Sequence, residues 1–240
     1  MSSFYLGVYQ RFPEFLKRRI NPLEYGVRAV VEEAVLAVGS GRILDAGAGE
    51  GRFRAWFPSA QYIGLDRGIG DESWDYSGID VIGDLQRIPF ATATVDSVLN
   101  LQVLEHVEDP GQVIQEFGRV LRPGGTLFLT APQGWHEHQQ PNDFYRFTRF
   151  ALEKMFREAG FEQFEIEPIG GYFDYLGNRL TFIPKVVFPS LHPILRVLLF
   201  PVELLCLVFF CFLLPVLCHA LDRFDKKKEF TLCYRCRAQK

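Results

Sequence analysis

The fold of this chain is indicated by residues 43–51, which read ILDAGAGEG. A short apolar run predicts a buried strand, and it leads into glycines at three alternate positions: Gly47, Gly49 and Gly51. Glycines allow the backbone to turn sharply and to approach a ligand closely at the carboxyl end of a strand, where open α/β sheets bind ligands. Taken alone, this pattern would serve a nicotinamide cofactor, a flavin or a methyl donor equally well.

The segments on either side alternate between strand and helix patterns. Apolar runs predict strands at residues 42–45, 62–66, 79–83, 95–101, 126–131 and 161–167. Asp109 and Thr148 are placed to cap two helices that carry apolar stripes. Strands that alternate with helices imply a mostly parallel sheet covered on both faces.

Composition divides the chain into three parts. Residues 1–40 form an N-terminal helical lead-in, residues 41–182 together with 222–240 form the sheet domain, and residues 183–221 form an apolar insertion. A length of 240 residues with 48% apolar content suits one domain of ordinary size with additions.

Charge and cysteine content narrow the possible partners and compartment. The net charge is −3, so nucleic acid is not an expected partner. All five cysteines lie at or beyond Cys206, which favours a reducing compartment over a disulfide framework. Residues 1–8 lack the basic-then-apolar layout of a signal peptide, so secretion is not expected.

Three acidic residues around the glycines narrow the choice of cofactor. Asp45 precedes the glycines, where a carboxylate suits an amino-acid ammonium but would repel a pyrophosphate. Asp66 ends the next strand, 17 residues after Gly49, and is placed to accept hydrogen bonds from ribose hydroxyls. Asp84 ends the third strand and offers an acceptor to an adenine amine. The alternative explanation is that Asp45 caps a turn and that Asp66 and Asp84 are ordinary strand-end residues.

With these features the sequence resembles the class I S-adenosylmethionine-dependent methyltransferases, most closely the branch of quinone-biosynthesis and type-11-like enzymes. Residues 95–98 (VDSV), 103–107 (VLEHV) and 121–125 (LRPGG) also match the family's order. The resemblance implies an α/β, Rossmann-like sheet of seven strands, mostly parallel, with helices on both faces. Its antiparallel last strand would be supplied by residues 229–237, after the apolar helical insertion.

The resemblance also implies which residues bind S-adenosylmethionine. The methionine part would be held by Asp45, Ala46, Gly47 and Gly49, and the ribose would be held by Asp66 with Arg67. The adenine would contact Asp84 and Leu85. Leu101 and Gln102 would line the floor under the sulfonium. Residues 67–78 depart from the family, because they read as a loop where the family usually has a helix.

The methyl acceptor is expected at the segment that follows the fifth strand, residues 132–147. Its predicted acceptor-binding residues are Trp135, Asp143, Tyr145 and Arg146. The candidate catalytic residues are His136, His138 and His106, since a histidine titrates near neutrality and can take a hydroxyl proton. The alternatives are that His136 and His138 fasten a loop and that His106 packs at a helix start.

Two pairs of residues have side chains that can bind a metal, but neither pair predicts a metal site. His136 and His138 have no clear third ligand near them in the sequence, so no metal is predicted. Cys233 and Cys236 are three apart on an extended strand, which places their thiols on opposite faces, so they are predicted to be packing residues.

The apolar segment predicts membrane association. Between residues 197 and 218 the only charge is Glu203, and Pro201 and Pro215 are expected to interrupt the run. A single crossing is excluded if residues 229–237 return to the sheet, which leaves a shallow hairpin or interfacial helices near the acceptor opening. The soluble alternative is a hydrophobic cover or a dimer face.

These expectations combine into a hypothesis about function. The chain is predicted to be an S-adenosylmethionine-dependent methyltransferase acting on a small-molecule or lipid-linked acceptor (quinone, lipid or glycan). It is expected in the cytoplasm, peripheral or monotopic on the inner face of the membrane. The alternative is a non-catalytic module of the same fold that binds a membrane or a partner. A dehydrogenase is disfavoured by Asp45 and by the missing pyrophosphate pattern. The acceptor and the oligomeric state stay open.

Overall fold

A computed structural model describes residues 9–70 and 74–240. Residues 1–8, which begin the predicted lead-in and were considered for a signal peptide, and residues 71–73 of the predicted loop lie outside the described residues. The chain divides into two compact units. The first, here called the sheet unit, comprises Gly26–Glu167 and Cys233–Lys240. The second, here called the helical unit, comprises Met1–Tyr25 and Pro168–Leu232.

The described residues contain one sheet of seven strands, which confirms the predicted α/β fold. The strands are β1 (Arg42–Ala46), β2 (Gln61–Asp66), β3 (Val81–Ile82), β4 (Val95–Leu101), β5 (Leu121–Pro132), β6 (Gln163–Ile169) and β7 (Cys233–Gln239). Their order across the sheet is β3-β2-β1-β4-β5-β7-β6. The strands from β1 to β5 pair in parallel, and β7 pairs antiparallel with β5, as expected of the last strand.

Helices α1 (Glu14–Ile20), α2 (Pro22–Val38), α3 (Pro110–Val120) and α4 (Arg149–Glu158) precede or connect the strands. Both predicted caps are present. The Asp109 side chain accepts a hydrogen bond from the Gln112 backbone N–H at 3.0 Å, and Thr148 accepts one from the Ala151 N–H at 3.2 Å.

Apolar side chains from the central strands and helices form the core of the sheet unit. Fully buried members are Leu44, Val98, Leu127, Phe117 and Phe156. Burying one such side chain contributes about 1.5–3 kcal/mol relative to leaving it in water. This packing holds the carboxyl ends of β1, β2 and β4 in fixed positions, and the candidate site lies at those ends.

Several strand boundaries differ from the expected ones. Strand β3 covers only Val81–Ile82 instead of residues 79–83, and β6 covers Gln163–Ile169 instead of residues 161–167. Two further differences have a clear physical reason. The last strand begins at Cys233 rather than at residue 229, because its partner β5 ends at Pro132, which pairs with Cys233. Strand β5 begins five residues earlier than expected. Leu121 pairs with Val95 but Thr126 already pairs with Ser97, so residues 122–125 bulge out of the ladder.

The insertion forms short helices followed by one long helical stretch. The helices of the helical unit after β6 are α5 (Tyr172–Leu180), α6 (Ile183–Val187), α7 (Pro193–Leu198), α8 (Phe200–Val208) and α9 (Leu214–Leu221). A widened helical turn, Phe209–Leu213, joins α8 to α9. The expectation that Pro215 interrupts the run was wrong. Proline removes one helical hydrogen bond, and the widened turn before it accommodates the mismatch, so the helix continues.

The stretch Phe200–Phe224 is long and apolar enough to cross a membrane, judged by length and composition alone. Only 17% of its most apolar window is buried, so it is not the core helix of a compact unit. Among the described residues 26 large apolar side chains are exposed, and 15 of them lie between Ile183 and Leu217. The helical unit therefore presents a concentrated apolar surface.

Candidate functional site

The glycine turn after β1 packs directly against the turn after β4. Gly47 and Gly49 have left-handed backbone angles, with φ of +88° and +53°. A Cβ on Gly47 would lie 2.4 Å from a methyl carbon of Val103, so no larger residue fits there. The Gly47 N–H donates to the Leu65 carbonyl at 2.8 Å, which brings the end of β2 to the same place.

Asp45 is a buried carboxylate at the start of this turn, only 4% exposed. The Tyr62 hydroxyl donates a hydrogen bond to it. Burial raises the pKa of Asp45 to about 6, and the Tyr62 hydrogen bond opposes that rise. An ammonium group beside Asp45 would restore its ionised form. Tyr62 is a residue that the sequence interpretation missed, although its place on β2, paired with Ile43, was the available signal.

Asp66 ends β2 and connects two turns. Its carboxylate accepts the Gly49 N–H at 2.9 Å and the Gly68 N–H at 2.8 Å. A carboxylate has about four lone-pair positions, so Asp66 retains capacity for ribose hydroxyls. Arg67, the next residue, is exposed.

Asp84 and Leu85, predicted to contact the adenine, have clear local roles in the fold. Asp84 accepts the Gln86 N–H at 2.9 Å and so caps the short turn Leu85–Arg87. The Leu85 side chain is buried in the core at 4% exposure. Their contact with a cofactor remains a prediction.

Leu101 and Gln102 lie at the end of β4, as required for the floor under a sulfonium. Gln102 is a non-glycine residue with φ of +56°, a strained conformation that often marks functional sites. Its side-chain amide donates to the Thr130 hydroxyl at 3.2 Å and to the Cys233 sulfur at 3.0 Å. The amide therefore ties β4 to β5 and β7. Cys233 and Cys236 are both buried thiols on β7, which fits their predicted packing role.

The described part of residues 67–78 folds back toward the glycine turn. A Cβ on Gly49 would lie 3.2 Å from the ring of Trp74. The Gly70 N–H donates to the Tyr76 hydroxyl at 2.6 Å, and the Asp75 N–H donates to a Glu50 carboxylate oxygen at 3.0 Å. The departure from the family was visible in the sequence, but the position of Trp74 beside the cofactor turn was not.

The predicted acceptor segment is fastened to the turn Leu104–His106 that follows β4. The Phe144 N–H donates to the Glu105 carbonyl at 2.9 Å, and His106 Nδ1 lies 2.6 Å from the Asn142 carbonyl oxygen. The Tyr145 hydroxyl donates to the Glu108 carbonyl at 2.8 Å. These contacts bring His106 beside a loop that lies about 40 residues further along the chain.

Asp143 and Arg146 hold this loop closed on itself. Arg146 binds both carboxylate oxygens of Asp143, at 2.7 and 2.8 Å, and also donates to the His136 carbonyl at 2.7 Å. The bidentate Arg146 guanidinium holds the pKa of Asp143 well below its usual range. Both side chains are thus engaged within the loop, and their contact with an acceptor remains a prediction, as does that of Trp135 and Tyr145.

The three candidate catalytic histidines differ in their surroundings. His136 is exposed, whereas His138 and His106 are partly buried with ring centres 4.6 Å apart. Glu105 lies beside them with no exposure to solvent, and burial raises its pKa to about 8. Ligand atoms of Glu105, His106 and His138 lie within 4.8 Å of one another. The sequence interpretation missed Glu105, because spacing along the chain does not show what a distant loop covers.

Known proteins match the segment of the chain that contains the glycine turn. A family described as "Methyltransferase domain" matches residues 44–129. A probable S-adenosylmethionine-dependent methyltransferase of Mycolicibacterium smegmatis is 36% identical over 96 residues, which cover 38% of this chain and 37% of that protein. A malonyl-[acyl-carrier protein] O-methyltransferase of Legionella pneumophila is 31% identical over 118 residues, which cover 45% and 42%. The matched region thus spans about two fifths of the length of these relatives.

Solved structures support the fold. A S-adenosylmethionine-dependent methyltransferase from Archaeoglobus fulgidus has a TM-score of 0.57 at 14% identity, covering 90% of this chain and 94% of that one. At this identity the likeness concerns the fold alone. The match at residues 44–129 and the relatives named above show a methyltransferase domain in this segment, and the solved structure supports its class I fold. The cofactor of this domain is S-adenosylmethionine.

Proposed function

We propose that the chain is an active methyltransferase that transfers the methyl group of S-adenosylmethionine to an oxygen of a small-molecule or lipid-linked acceptor at a membrane surface. The observation that carries the proposal is the pair of carboxylates around the glycine turn. Asp45 is buried where a cofactor ammonium would neutralise it, and Asp66 lies one strand away with capacity for ribose hydroxyls. A pyrophosphate cofactor would instead place negative charge against Asp45.

The reaction asks little covalent chemistry of the protein. The acceptor oxygen attacks the methyl carbon in line with the carbon–sulfur bond, whose electron pair moves to sulfur and leaves S-adenosylhomocysteine. The enzyme must align the two reactants and exclude water. An acceptor hydroxyl must also lose its proton, whereas a carboxyl group is already ionised near neutral pH. We infer that the partly buried His106 and His138 promote the loss from a hydroxyl.

The helical unit supports a membrane-borne acceptor. Each exposed Leu, Phe or Ile that enters the acyl region contributes about 1.5–3 kcal/mol, so a few of the 15 exposed side chains suffice for strong binding. An apolar groove lined by Leu205, Cys206, Val208, Phe209 and Leu213 lies on the same helical stretch. The five cysteines form no disulfide in the described structure, which is in keeping with a reducing compartment.

Chain topology favours helices that lie in the interface over a single crossing. Strands β6 and β7 belong to one sheet, so residues 170–232 must leave and return on the same side of the bilayer. The stretch Phe200–Phe224 is long enough to cross, at about 37 Å for 25 residues. A return crossing has no suitable element among the described residues, because α6 and α7 have five and six residues, or about 8–9 Å each.

The name of the Legionella relative supports an oxygen acceptor, since that protein is described as an O-methyltransferase acting on a malonyl group. A malonyl group has no apolar tail of its own, so the apolar tail of the proposed acceptor is inferred from the exposed apolar surface of the helical unit. The proposed acceptor therefore has a hydroxyl or carboxyl oxygen at the head of an apolar chain.

Calorimetry and a transfer assay test the proposal. Purified protein should bind S-adenosylmethionine and S-adenosylhomocysteine but not NAD. Protein mixed with isotope-labelled S-adenosylmethionine and a membrane lipid extract should place label in the organic phase. Folded protein that gives no heat with either sulfur ligand would refute cofactor binding. Tight binding with no transfer to lipid or small-molecule extracts would favour the alternative of a non-catalytic module.

A further inference from the structure

We propose that Glu105, His106 and His138 form a site for a divalent transition-metal ion of the Zn²⁺ class. The three side chains come from the turn after β4 and from the loop after β5, and their ligand atoms lie within 4.8 Å of one another. Two imidazoles and one carboxylate form a ligand set that Zn²⁺ accepts in open sites, where a further position remains for water or substrate.

The strongest support is the burial of the Glu105 carboxylate without a side-chain partner among the described residues. Its side chain has no exposure to solvent, and apart from its own backbone N–H no described group donates a hydrogen bond to either carboxylate oxygen. Burying a carboxylate in this way costs several kcal/mol unless a positive charge or a proton satisfies it. Arg146 does not do so directly, because its guanidinium is engaged by Asp143.

The neighbouring His106 presents a second atom that needs a partner. Its Nδ1 lies 2.6 Å from the Asn142 carbonyl oxygen, so the proton resides on Nδ1 and Nε2 carries a lone pair. That Nε2 is buried with no hydrogen-bond partner in the described structure and lies 3.9 Å from a Glu105 oxygen. Two electron-rich atoms thus face each other across a gap that a cation would fill.

His138, from the loop after β5, completes the ligand set. Its Nδ1 lies 3.1 Å from the His136 carbonyl oxygen and 3.4 Å from a carboxylate oxygen of Asp143. An oxygen partner on one ring nitrogen fixes the tautomer and directs the other nitrogen to the metal, as is usual for metal-binding histidines. Both histidines therefore have the supporting contacts that a metal site requires.

The role of the ion rests on the proposed methyl transfer, in which it would bind the acceptor oxygen. Such an ion would lower the pKa of the acceptor hydroxyl, whose O–H proton would pass to solvent before the oxygen attacks the methyl carbon. Methyl transfer then forms the carbon–oxygen bond and breaks the carbon–sulfur bond. His106 and His138 would promote proton loss as metal ligands rather than as bases.

Metal binding can be measured without an activity assay. Protein stripped with a chelator and dialysed should bind one Zn²⁺ per chain by calorimetry and elemental analysis. Co²⁺ should give the visible absorption of a low-coordinate site, whereas Mg²⁺ should not compete. Glu105→Gln and His138→Ala should each lower Zn²⁺ affinity by about 100-fold. The matched control His136→Ala, in the same loop but outside the ligand set, should keep both affinity and stoichiometry.

S-adenosylhomocysteine affinity, measured on every variant, reports whether the cofactor domain is folded. Full cofactor affinity with no Zn²⁺ bound would overturn the metal site and show that Glu105 instead shares a proton with His106. Unchanged Zn²⁺ affinity in Glu105→Gln would also overturn it. Zn²⁺ binding that survives while S-adenosylmethionine and S-adenosylhomocysteine fail to bind would leave the metal site in place and refute the proposed function. Should Glu105→Gln not fold, the His138→Ala result decides, because that side chain lies in a surface loop.

Discussion

The sheet unit and the helical unit use apolar and polar side chains in opposite ways. In the sheet unit apolar residues fill the core, and buried polar groups such as Asp45 and Glu105 lie at the carboxyl ends of strands. In the helical unit apolar residues face outward, and buried polar groups hold helices together. Asp222 there accepts the N–H groups of Gly171 and Asp174 at about 3 Å. One unit thus has buried polar groups at the ends of its strands, and the other has an exposed apolar surface.

The largest expected effect tests the outward-facing apolar surface. Leu205→Glu combined with Phe209→Glu should lower binding to phosphatidylglycerol-containing vesicles by about 100-fold or more. Each substitution removes an apolar side chain that would enter the bilayer and contribute about 2 kcal/mol to binding. Both residues are exposed, at 70% and 48%, so folding should be unaffected. Vesicle sedimentation measures the change. Leu36→Glu is the matched control, since Leu36 is 84% exposed on α2 in the sheet unit.

If Leu36→Glu lowered vesicle binding as much as the double substitution, the comparison between the units would fail. If the unaltered protein stays soluble and does not bind vesicles, the proposed action at a membrane surface would be wrong.

The second effect concerns the cofactor turn. Asp66→Ala should weaken S-adenosylhomocysteine binding about tenfold or more, since each charge-assisted hydrogen bond contributes about 1.5–3 kcal/mol. Asp66→Asn keeps one carbonyl acceptor and should lose less. Calorimetry compares them with Asp75→Ala, which removes an exposed carboxylate from the same loop region and should bind normally. An unchanged affinity in Asp66→Ala would mean that the ribose lies elsewhere.

Parts of the structure followed from the sequence because they depend on local pattern. Strand β4 matched its predicted bounds, residues 95–101, since the strand-favouring stretch VDSVLNL lies between turn residues. The caps at Asp109 and Thr148 were equally local. The bounds of β7 could not be predicted from local pattern, because they depend on where its partner β5 ends.

The acceptor side of the site depended still more on distant contacts. Glu105 sits in the stretch VLEHV, where nothing local shows that its carboxylate is buried. That burial comes from the loop after β5, through Phe144 and Asn142. The partner of Arg146 was hidden for a similar reason, while its contact with an acceptor stays a prediction. A lone arginine in a polar loop suggests substrate binding, but its partner Asp143 lies only three residues away and engages both of its terminal nitrogens.

A third, smaller effect should appear in the pH dependence of cofactor binding. The pKa of Asp45 is raised to about 6 in the free protein, so the carboxylate is ionised above that pH and neutral below it. A cofactor ammonium favours the ionised form. Affinity should therefore be full at neutral pH and fall about tenfold between pH 7 and pH 5. Calorimetry across this range should show a shallower slope for Asp45→Asn, which cannot ionise. The same slope in both proteins would assign the titration to another group.

The smallest expected effect is on cofactor affinity when the helical unit is removed. Its two ends at the sheet are already adjacent, because the Thr231 hydroxyl donates to the Ile169 carbonyl at 2.8 Å. A short Gly/Ser linker can therefore replace residues 172–229. Residues 1–20 should be removed as well, since Phe12 packs on Phe212 with ring centres 5.1 Å apart. The remaining chain retains the glycine turn, Asp45, Asp66 and the whole sheet.

If the two units have the separate tasks inferred above, the shortened protein should bind S-adenosylhomocysteine within about twofold of the full chain, because the cofactor residues are retained. A twofold change in affinity corresponds to about 0.4 kcal/mol. It should no longer bind vesicles. Circular dichroism and a cooperative thermal transition would first establish that the sheet unit is folded. A folded protein whose cofactor affinity drops tenfold would show that the helical unit supports the cofactor site, and the division of tasks would then be wrong. Retained vesicle binding would place the membrane contact on the sheet unit, where Leu36, Ile69, Ile82 and Phe150 are among the exposed apolar residues.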